Sequence, residues 1–287
     1  MTARVRMNEA ILPENAKTLA TYYRSVEKGA FLDILDTLSD DIEYVISGNP
    51  SLLPFSGVWS GKGRVTELFK AFGSAFQLLS LKENVVLQSS DRVISANDES
   101  FMVWPTGRHY RVPVLHIAEF GADHRIRRFI NIHDTSVAEQ AFAGEDPALV
   151  AICPKSDTAP LPFDKGNAAA CKIADDLVAV VFGDASRDAT KQFPNLQLFI
   201  PGLPTRDLVS GVWTGAGLEK YLPSRVETFR QKRLAGCHPV IDTITVSQGN
   251  IAVEGRIDGK SAPWTIVAQL DGSGVGNAAL FIDFPAL

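Results

Sequence analysis

The chain has 287 residues, of which 45% are hydrophobic and 21% are charged, and its formal net charge at pH 7 is −5; this composition is typical of folded globular proteins and excludes a disordered chain. The acidic balance and the scattered basic residues give no electrostatic reason to bind nucleic acid. No apolar run approaches the roughly 18 residues that a membrane span needs, and the first ten residues lack the apolar segment of a signal peptide, so we expect a cytoplasmic protein with no membrane or nucleic-acid partner.

The first half of the chain is predicted to begin with helices and to continue with strands. Apolar residues at helical spacing predict helices over residues 14–28, 31–38 and 65–79, with a strand over residues 42–46. An antiparallel meander is expected to follow, with strands over residues 83–88, 92–96, 100–104, 110–120 and 126–132. A last helix is expected to begin at Thr135, capped by Asp134 or by Ser136 with Glu139.

A sequence repeat divides the chain into two copies. Ser56-Gly57-Val58-Trp59 returns as Ser210-Gly211-Val212-Trp213, and the windows 44–68 and 198–222 share ten identities in twenty-five positions without a gap. The period of 154 residues is that of a whole domain. We therefore expect a first domain over residues 1–142, a proline-rich linker over 143–164 and a second domain over 165–287, with helices over 167–182 and 218–234.

The order of elements in the first copy resembles that of the SnoaL-like, nuclear-transport-factor-2-like superfamily. The resemblance covers roughly residues 12–142 and includes the stretch Pro-Phe-Ser-Gly-Val-Trp-Ser-Gly-Lys-Gly at residues 54–63 and the closing Ile-His-Asp at residues 132–134. It implies an α+β fold of two tandem cones (cystatin-like α+β barrels), each a curved antiparallel sheet wrapped around helices with an apolar pocket inside. It also implies that the cones pair through their sheets as an intrachain pseudo-dimer, which either stays monomeric or forms a homodimer.

The resemblance further implies a pair of hydrogen-bond donors in the first copy. On the ketosteroid isomerase pattern, Tyr22 falls where that family places its oxyanion-stabilising tyrosine, and His116 falls where it places a protonated carboxylic acid. Such a pair could stabilise an enolate or phenolate oxygen. The position of the isomerase general base is occupied by Ile46, so a base must lie elsewhere. His133, at the end of the last strand, is the candidate.

Other residues are candidates for the pocket wall. Strand alternation outward from His116 places Tyr110 and Arg108 on the same face, where they could assist the base or anchor a substrate. Aromatic residues that could form walls for a substrate are Trp59, Phe72, Phe76 and Trp104. Since Trp59 recurs as Trp213 in the second copy, a packing role common to both copies is the alternative for that residue.

The second copy lacks the candidate donors. At the period of 154, Tyr22 corresponds to Asp176 and Ile46 to Ile200, and the strand that holds His116 corresponds to residues near 264–267, which include no histidine. We therefore expect the second copy to be a degenerate partner of the first.

No cofactor motif is present in the sequence. There is no Gly-x-Gly-x-x-Gly after a strand and no phosphate-binding loop, the histidines lack a metal-ligand spacing, and the three cysteines form no Cys-x-x-Cys pair. The sequence favours an acid–base enzyme without cofactor or metal, an isomerase or a lyase that acts on a small, hydrophobic, oxygenated aromatic or polycyclic metabolite. The alternatives are a non-catalytic hydrophobic-ligand-binding protein, a formaldehyde-releasing diaryl lyase, a polyketide cyclase, an epoxide hydrolase, or a scaffold of two closed cones.

Overall fold

The computed structural model describes residues 4–7, 9–133, 135–147, 166–182, 193–200, 211–214, 237–258, 263–271 and 274–282. The chain divides into two units, one of Ala10–Val150 and the other of Met1–Glu9 together with Ala151–Leu287. The first strand, β1 (Arg4–Met7), thus belongs to the second unit, although the sequence analysis placed it in the first domain. The predicted helix over 218–234 and the predicted cap Asp134 lie outside the described residues.

The helices of the first unit begin and end close to their predicted bounds. They are α1 (Pro13–Glu27), α2 (Phe31–Ile34) with a following 3-10 turn (Leu35–Thr37), α3 (Lys62–Ala75) and α4 (Ser136–Phe142). Pro13 occupies the first turn of α1, where its missing N–H costs nothing. Gly29 follows the helix with φ 66°, a left-handed conformation that glycine adopts without strain.

Two predictions about residues 76–103 are wrong. Helix α3 ends at Ala75 rather than at residue 79, because Phe76 is extended and begins a long strand that pairs with its neighbour. The strands predicted over 92–96 and 100–104 are one continuous strand. Asn97, Asp98 and Glu99 have the composition of a turn, but all three are buried and paired within the sheet. Polar residues inside the fold were therefore mistaken for a surface turn.

Six strands form the sheet of the first unit. They are β2 (Leu38–Ile46), β3 (Gly57–Ser60), β4 (Phe76–Ser89), β5 (Arg92–Val103), β6 (His109–Phe120) and β7 (Ile126–His133). Their order is β3-β2-β7-β6-β5-β4, with β2 parallel to β7 and every other pair antiparallel. Register shifts in β2, β4 and β7 mark bulges, which bend a sheet. Apolar residues of α1 and α3 pack in one core with side chains of this sheet.

The second unit repeats the order of the first. Its elements are α5 (Gly166–Phe182), β8 (Gln197–Ile200), β9 (Gly211–Thr214), β10 (Pro239–Ser247), β11 (Asn250–Ile257), β12 (Pro263–Asp271) and β13 (Gly274–Ile282). The sheet order is β1-β10-β11-β12-β13-β8-β9, with β8 parallel to β13. In the direction from β9 to β10, the strands follow the same order as their counterparts from β3 to β4 in the first sheet. The α+β fold and the tandem repeat are thus confirmed, and β1 adds a parallel strand at the edge of β10.

A tryptophan lies in the apolar core of the second unit. Trp264 on β12 is 1% exposed, lies in the apolar core of this unit, and packs against Phe182 at 5.2 Å between ring centroids. A Cβ at Gly255, its cross-strand partner on β11, would lie 2.4 Å from the tryptophan ring and 2.1 Å from the backbone oxygen of Val240. Only glycine at residue 255 leaves room for this ring. Among the described residues, no helix is long and apolar enough to cross a membrane.

Gly255→Ala should destabilise the second unit by at least about 2 kcal/mol, because a backbone atom blocks the new methyl group and cannot move aside cheaply. The matched control is Gly63→Ala on α3, where a Cβ meets no atom within 4 Å. There alanine should be neutral or stabilise the helix by up to about 1 kcal/mol. Urea denaturation, with amide hydrogen exchange of β11 as the local measure, tests both variants. Equal effects of the two substitutions would contradict this packing.

Candidate functional site

A cavity opens within the first unit between α1, α2, α3 and the sheet. It contains about 520 Å³ of space that no protein atom fills, including open solvent at its mouth. Eight aromatic rings and three aliphatic side chains form most of its lining, and the remaining lining residues are Glu99, His116 and Asn131. An apolar cavity with a few converging polar groups is the usual form of a small-molecule site.

His116 lies on the inner face of β6, as the alternation predicted. The pairing of β5 with β6 runs from Arg92↔Glu119 to Met102↔His109 without a register shift. Tyr110, Val112 and Val114 therefore share the face of His116 and belong to the same core, whereas His109 and Arg111 are exposed. The cross-strand partners of His116 are Ser95 on β5 and Asn131 on β7.

Both ring nitrogens of His116 have close polar neighbours. Nδ1 is 3.0 Å from the amide nitrogen of Asn97 and 3.3 Å from the hydroxyl of Tyr23, which in turn is 3.0 Å from the hydroxyl of Ser95. Nε2 is 3.0 Å from the amide nitrogen of Asn131. A neutral imidazole carries one N–H and one lone pair, so it can accept a hydrogen bond from only one of the two amides. The other asparagine must turn its oxygen toward the ring.

Glu99 is the lining residue of the candidate site that the sequence analysis missed. Its carboxyl Oε1 is 3.3 Å from His116 Nε2, the side chain is buried, and it lines the cavity. Among the described residues, no group makes a hydrogen bond with this oxygen. Ser95, Asn97 and Glu99 alternate along β5, and this period of two was the signal that could have revealed a polar stripe on the inner face of the sheet.

Burial sets the protonation states of this pair. It raises the pKa of Glu99 from 4.5 to about 8, because a carboxylate loses its hydration in an apolar cavity. Burial also lowers the pKa of His116 from 6.5 to about 3, and the nearby His133 adds to that decrease. At neutral pH the carboxyl group therefore carries a proton, whereas the neighbouring imidazole is neutral. A proton donor and a proton acceptor lie side by side at the cavity wall.

Tyr22 lines the cavity but does not contact His116. Its hydroxyl is 2.6 Å from the hydroxyl of Tyr44, and both side chains are buried. Burial raises the pKa of both tyrosines well above 10, so the two hydroxyl groups remain protonated donors. The ring of Phe129 packs against both this pair and the imidazole, with its centroid 4.8 Å from that of Tyr22 and 5.0 Å from that of His116. The residue of α1 that contacts His116 is Tyr23.

His133 lies beside the cavity lining rather than in it. Its Nδ1 is 2.8 Å from the amide oxygen of Asn131, its backbone N–H donates to the hydroxyl of Ser47 at 2.9 Å, and that hydroxyl donates to its carbonyl oxygen at 3.1 Å. Burial lowers the pKa of His133 to about 4. Among the described residues, the hydrogen bond that links the predicted base to the cavity lining is the one to Asn131.

The predicted wall residues divide into two groups. Phe72 and Phe76 line the cavity, as expected. Tyr110 is buried and stacks on Phe101, which lines the cavity, but Tyr110 itself does not line it. The remaining predicted wall residues are outside the lining. Trp59 donates to the carbonyl of Phe55 and packs under Arg64, Trp104 is half exposed, and Arg108 pairs with Asp146 and donates to the carbonyl of Gly144.

The second unit has apolar residues at the equivalent positions. The repeat equates Tyr44 with Leu198, which pairs with Ala278 as Tyr44 pairs with Phe129. Continuing the register from this point equates His116 with Ile266, and Asn131 with Leu280. By the same register, the equivalents of Ser95, Asn97, Glu99 and His133 are Val253, Gly255, Ile257 and Ile282. Asp176, at the position of Tyr22, is held by Lys172. The polar stripe of Ser95, Asn97 and Glu99, together with His116, Asn131 and His133, is thus confined to the first unit.

In the part of the chain that the structure describes, no cluster of three or more His, Cys, Asp or Glu side chains could hold a metal ion. No protein-family model matches this chain, and no curated protein matches it.

Several solved structures are similar to this chain over less than half of its length. A proposed isomerase from Rhodopseudomonas palustris is 20% identical with a TM-score of 0.41, and the match covers 44% of this chain and 96% of that one. A nuclear-transport-factor-2-like protein from Burkholderia xenovorans LB400 is 17% identical with a TM-score of 0.40, covering 45% and 95%. A proposed polyketide cyclase from Xanthomonas campestris pv. campestris is 17% identical with a TM-score of 0.35, covering 41% and 88%.

Glu99→Gln should remove a loss of folding stability that the wild-type protein shows as the pH rises from 6.5 to 8. Since the folded pKa of Glu99 is raised above 4.5, the stability that this group contributes is fully present below pH 4.5 and is lost as the pH rises through about 8. The two buried histidines have lowered pKa values, so their contribution to folding stability no longer changes with pH above 6.5. Between pH 6.5 and 8 the wild-type free energy of unfolding should fall by up to about 1.4 kcal/mol per pH unit more than that of Glu99→Gln. Parallel denaturation curves over this range would exclude a proton on Glu99.

Proposed function

We propose that the first unit is an acid–base enzyme that moves a proton on a small, uncharged, oxygenated aromatic or polycyclic molecule. The observation that carries this proposal is the contact between a protonated carboxyl group and a neutral imidazole in the wall of an aromatic cavity. A catalyst for isomerisation or dehydration must accept a proton at one atom and deliver one at another. Glu99 and His116 supply both groups within 3.3 Å.

The roles follow from the protonation states. His116 accepts a proton from a carbon next to a carbonyl or hydroxyl group of the substrate, and Glu99 donates its proton to a second substrate atom. In an isomerisation that atom is another carbon, and in a dehydration it is the departing hydroxyl oxygen, which leaves as water. Transfer of the proton from His116 to the Glu99 carboxylate then restores the resting state. The substrate loses and gains the same number of protons in the isomerisation, and it loses one water in the dehydration.

The hydroxyl groups of Tyr22 and Tyr44 are suited to bind the substrate oxygen on which negative charge develops. Both remain protonated because burial raises their pKa. One hydroxyl donates to the other, which leaves one O–H to donate to the substrate, and a preorganised donor stabilises such charge strongly. The lining contains no Lys or Arg, and His116 is neutral at pH 7, so the cavity lining offers no cation to pair with a carboxylate or phosphate of a ligand. These features favour an uncharged substrate.

A binding protein is the second candidate, and the aromatic lining favours it. Eight rings around one cavity would hold a flat apolar ligand without any reaction. The two functions differ in what they require of Glu99. In a carrier, replacing Glu99 with glutamine would leave ligand affinity unchanged, and no reaction would be lost. In the enzyme, the same replacement would abolish proton transfer although the ligand still binds.

The enzyme should catalyse the exchange of carbon-bound hydrogen with solvent. The test is to incubate the protein in D₂O with a panel of uncharged bicyclic aromatic ketones such as 2-tetralone, and to follow the loss of the acidic C–H signal by proton NMR. Wild-type protein should accelerate this exchange, and Glu99→Gln or His116→Gln should each reduce the acceleration by about 10²–10⁴-fold. The rate should be constant from well above the His116 pKa of about 3 up to about pH 7, and it should fall as Glu99 loses its proton near pH 8.

The matched controls are Glu67→Gln and His109→Gln, which make the same changes at exposed residues and should leave the exchange rate unchanged. Binding of the same ketones is measured in parallel by titration calorimetry. Ligands that bind to the wild-type protein without any acceleration of exchange would reject the enzyme and leave the carrier.

A further inference from the structure

Asn131 connects the two buried histidines of the first unit. It is the cross-strand partner of His116, and His133 lies two residues further along the same strand and on the same face. The amide nitrogen of Asn131 is 3.0 Å from His116 Nε2, and its amide oxygen is 2.8 Å from His133 Nδ1. Both histidines are at most 8% exposed, so water does not replace these contacts.

The two ends of an amide have opposite roles in hydrogen bonding, because the nitrogen only donates and the oxygen only accepts. When the amide oxygen of Asn131 accepts from His133 Nδ1–H, the amide nitrogen of Asn131 donates to His116 Nε2. That ring nitrogen must then carry a lone pair and no hydrogen. If the amide were reversed, His116 Nε2 would carry the hydrogen and His133 Nδ1 would be the acceptor. Asn131 therefore allows a hydrogen on only one of these two ring nitrogens.

We propose that His133 is a positioning residue that acts through Asn131 to keep His116 Nε2 free of hydrogen. Nε2 is the ring atom 3.3 Å from the Glu99 carboxyl group. Without a hydrogen of its own, Nε2 accepts from Asn131 in the resting protein and is the ring nitrogen that can take up a proton beside Glu99. The catalytic meaning of this arrangement rests on the proposed function, in which His116 accepts the substrate proton. The position of the hydrogen on the ring is a property of the resting protein and can be measured without a substrate.

The surroundings of His133 hold it in the required place. The hydroxyl of Ser47 bonds both the backbone N–H and the carbonyl oxygen of His133, and the backbone N–H of Ser47 donates to the carbonyl oxygen of Asn131 at 2.9 Å. Ser47 directly follows β2, so these bonds extend the parallel pairing of β2 with β7 past Ile46↔Asn131. His133 and Asn131 thus have fixed backbones, and their side chains meet on one face.

The hydrogen on Nδ1 of His116 then determines the orientation of a second amide. Asn97 must present its oxygen to Nδ1–H, because its nitrogen cannot donate to an atom that already carries a hydrogen. The hydroxyl of Tyr23, 3.3 Å from Nδ1, is a further acceptor for the same hydrogen. The proposal thus resolves the conflict between the two amide nitrogens that face the ring.

Nitrogen-15 NMR of the imidazole groups tests this proposal directly, since protonated and unprotonated ring nitrogens have well-separated chemical shifts. In the full-length wild-type protein at neutral pH, His116 should show a hydrogen on Nδ1 and none on Nε2. In His133→Phe, which keeps a ring but cannot donate, Asn131 is free to reverse, and a measurable fraction of His116 should carry its hydrogen on Nε2.

Asn131→Asp provides the converse change. Its carboxylate accepts from both histidines, so His116 should move its hydrogen to Nε2. His109→Phe makes the control substitution at an exposed histidine and should leave the His116 signals unchanged. A wild-type His116 with its hydrogen on Nε2 would overturn the proposal, and so would unchanged His116 signals in a folded His133→Phe variant. If His133→Phe does not fold, unchanged signals in Asn131→Asp overturn it instead.

The NMR experiment tests the position of the hydrogen on His116, and the hydrogen-exchange assay tests the proposed enzyme, so one can fail without the other. A correct position of the hydrogen in a protein that exchanges no ligand proton would leave the positioning role intact and reject the enzyme. In an active enzyme, His133→Phe should lower the exchange rate, whereas the binding of 2-tetralone should stay the same because His133 does not line the cavity. An unchanged rate in a variant with altered His116 signals would show that the hydrogen position has no catalytic effect, which overturns the catalytic part of the proposal.

Discussion

The burial of Glu99 and His116 against aromatic rings is the constraint on which the account of the first unit depends. An isolated charge in an apolar cavity is costly, and an ionisable group responds by taking its neutral form. For a carboxyl group the neutral form has a proton, and for an imidazole it does not. Burial is therefore the main cause of a proton donor beside a proton acceptor. The surrounding hydroxyl and amide groups then determine where the hydrogens lie.

The two units show that the fold does not require this polar stripe. Both sheets have the same strand order and the same parallel pair, yet the register places apolar residues or glycine in the second unit where the first has Ser95, Asn97, Glu99, His116, Asn131 and His133. Trp264 packs beside Gly255, where the first unit has an asparagine. Since buried polar groups weaken a core unless they are satisfied, their presence in one unit alone indicates a role other than stability.

The sequence predicted the α+β fold and the tandem units, whereas the roles of the candidate site residues stay predictions. Periodicity located α1, α3 and the meander, and the repeated Ser-Gly-Val-Trp motif revealed the tandem units. Alternation on β6 placed His116 and Tyr110 on the inner face correctly. Glu99 was missed because Asn-Asp-Glu has the composition of a turn, and only strand pairing shows that these residues are inside the sheet. The local spacing on α1 could not decide between Tyr22 and Tyr23, since both lie at the cavity and their contacts depend on β2 and β5.

The most direct test of the account is the titration of Glu99 by carbon-13 NMR of its carboxyl carbon, with Glu99→Gln to assign the signal. The account predicts a midpoint near pH 8 in the wild-type protein, because burial disfavours the carboxylate. A midpoint near the ordinary value of 4.5 would mean that Glu99 is a carboxylate at neutral pH. In that case the cavity has no carboxylic acid to donate a proton, and the pairing of Glu99 with a neutral His116 would be wrong.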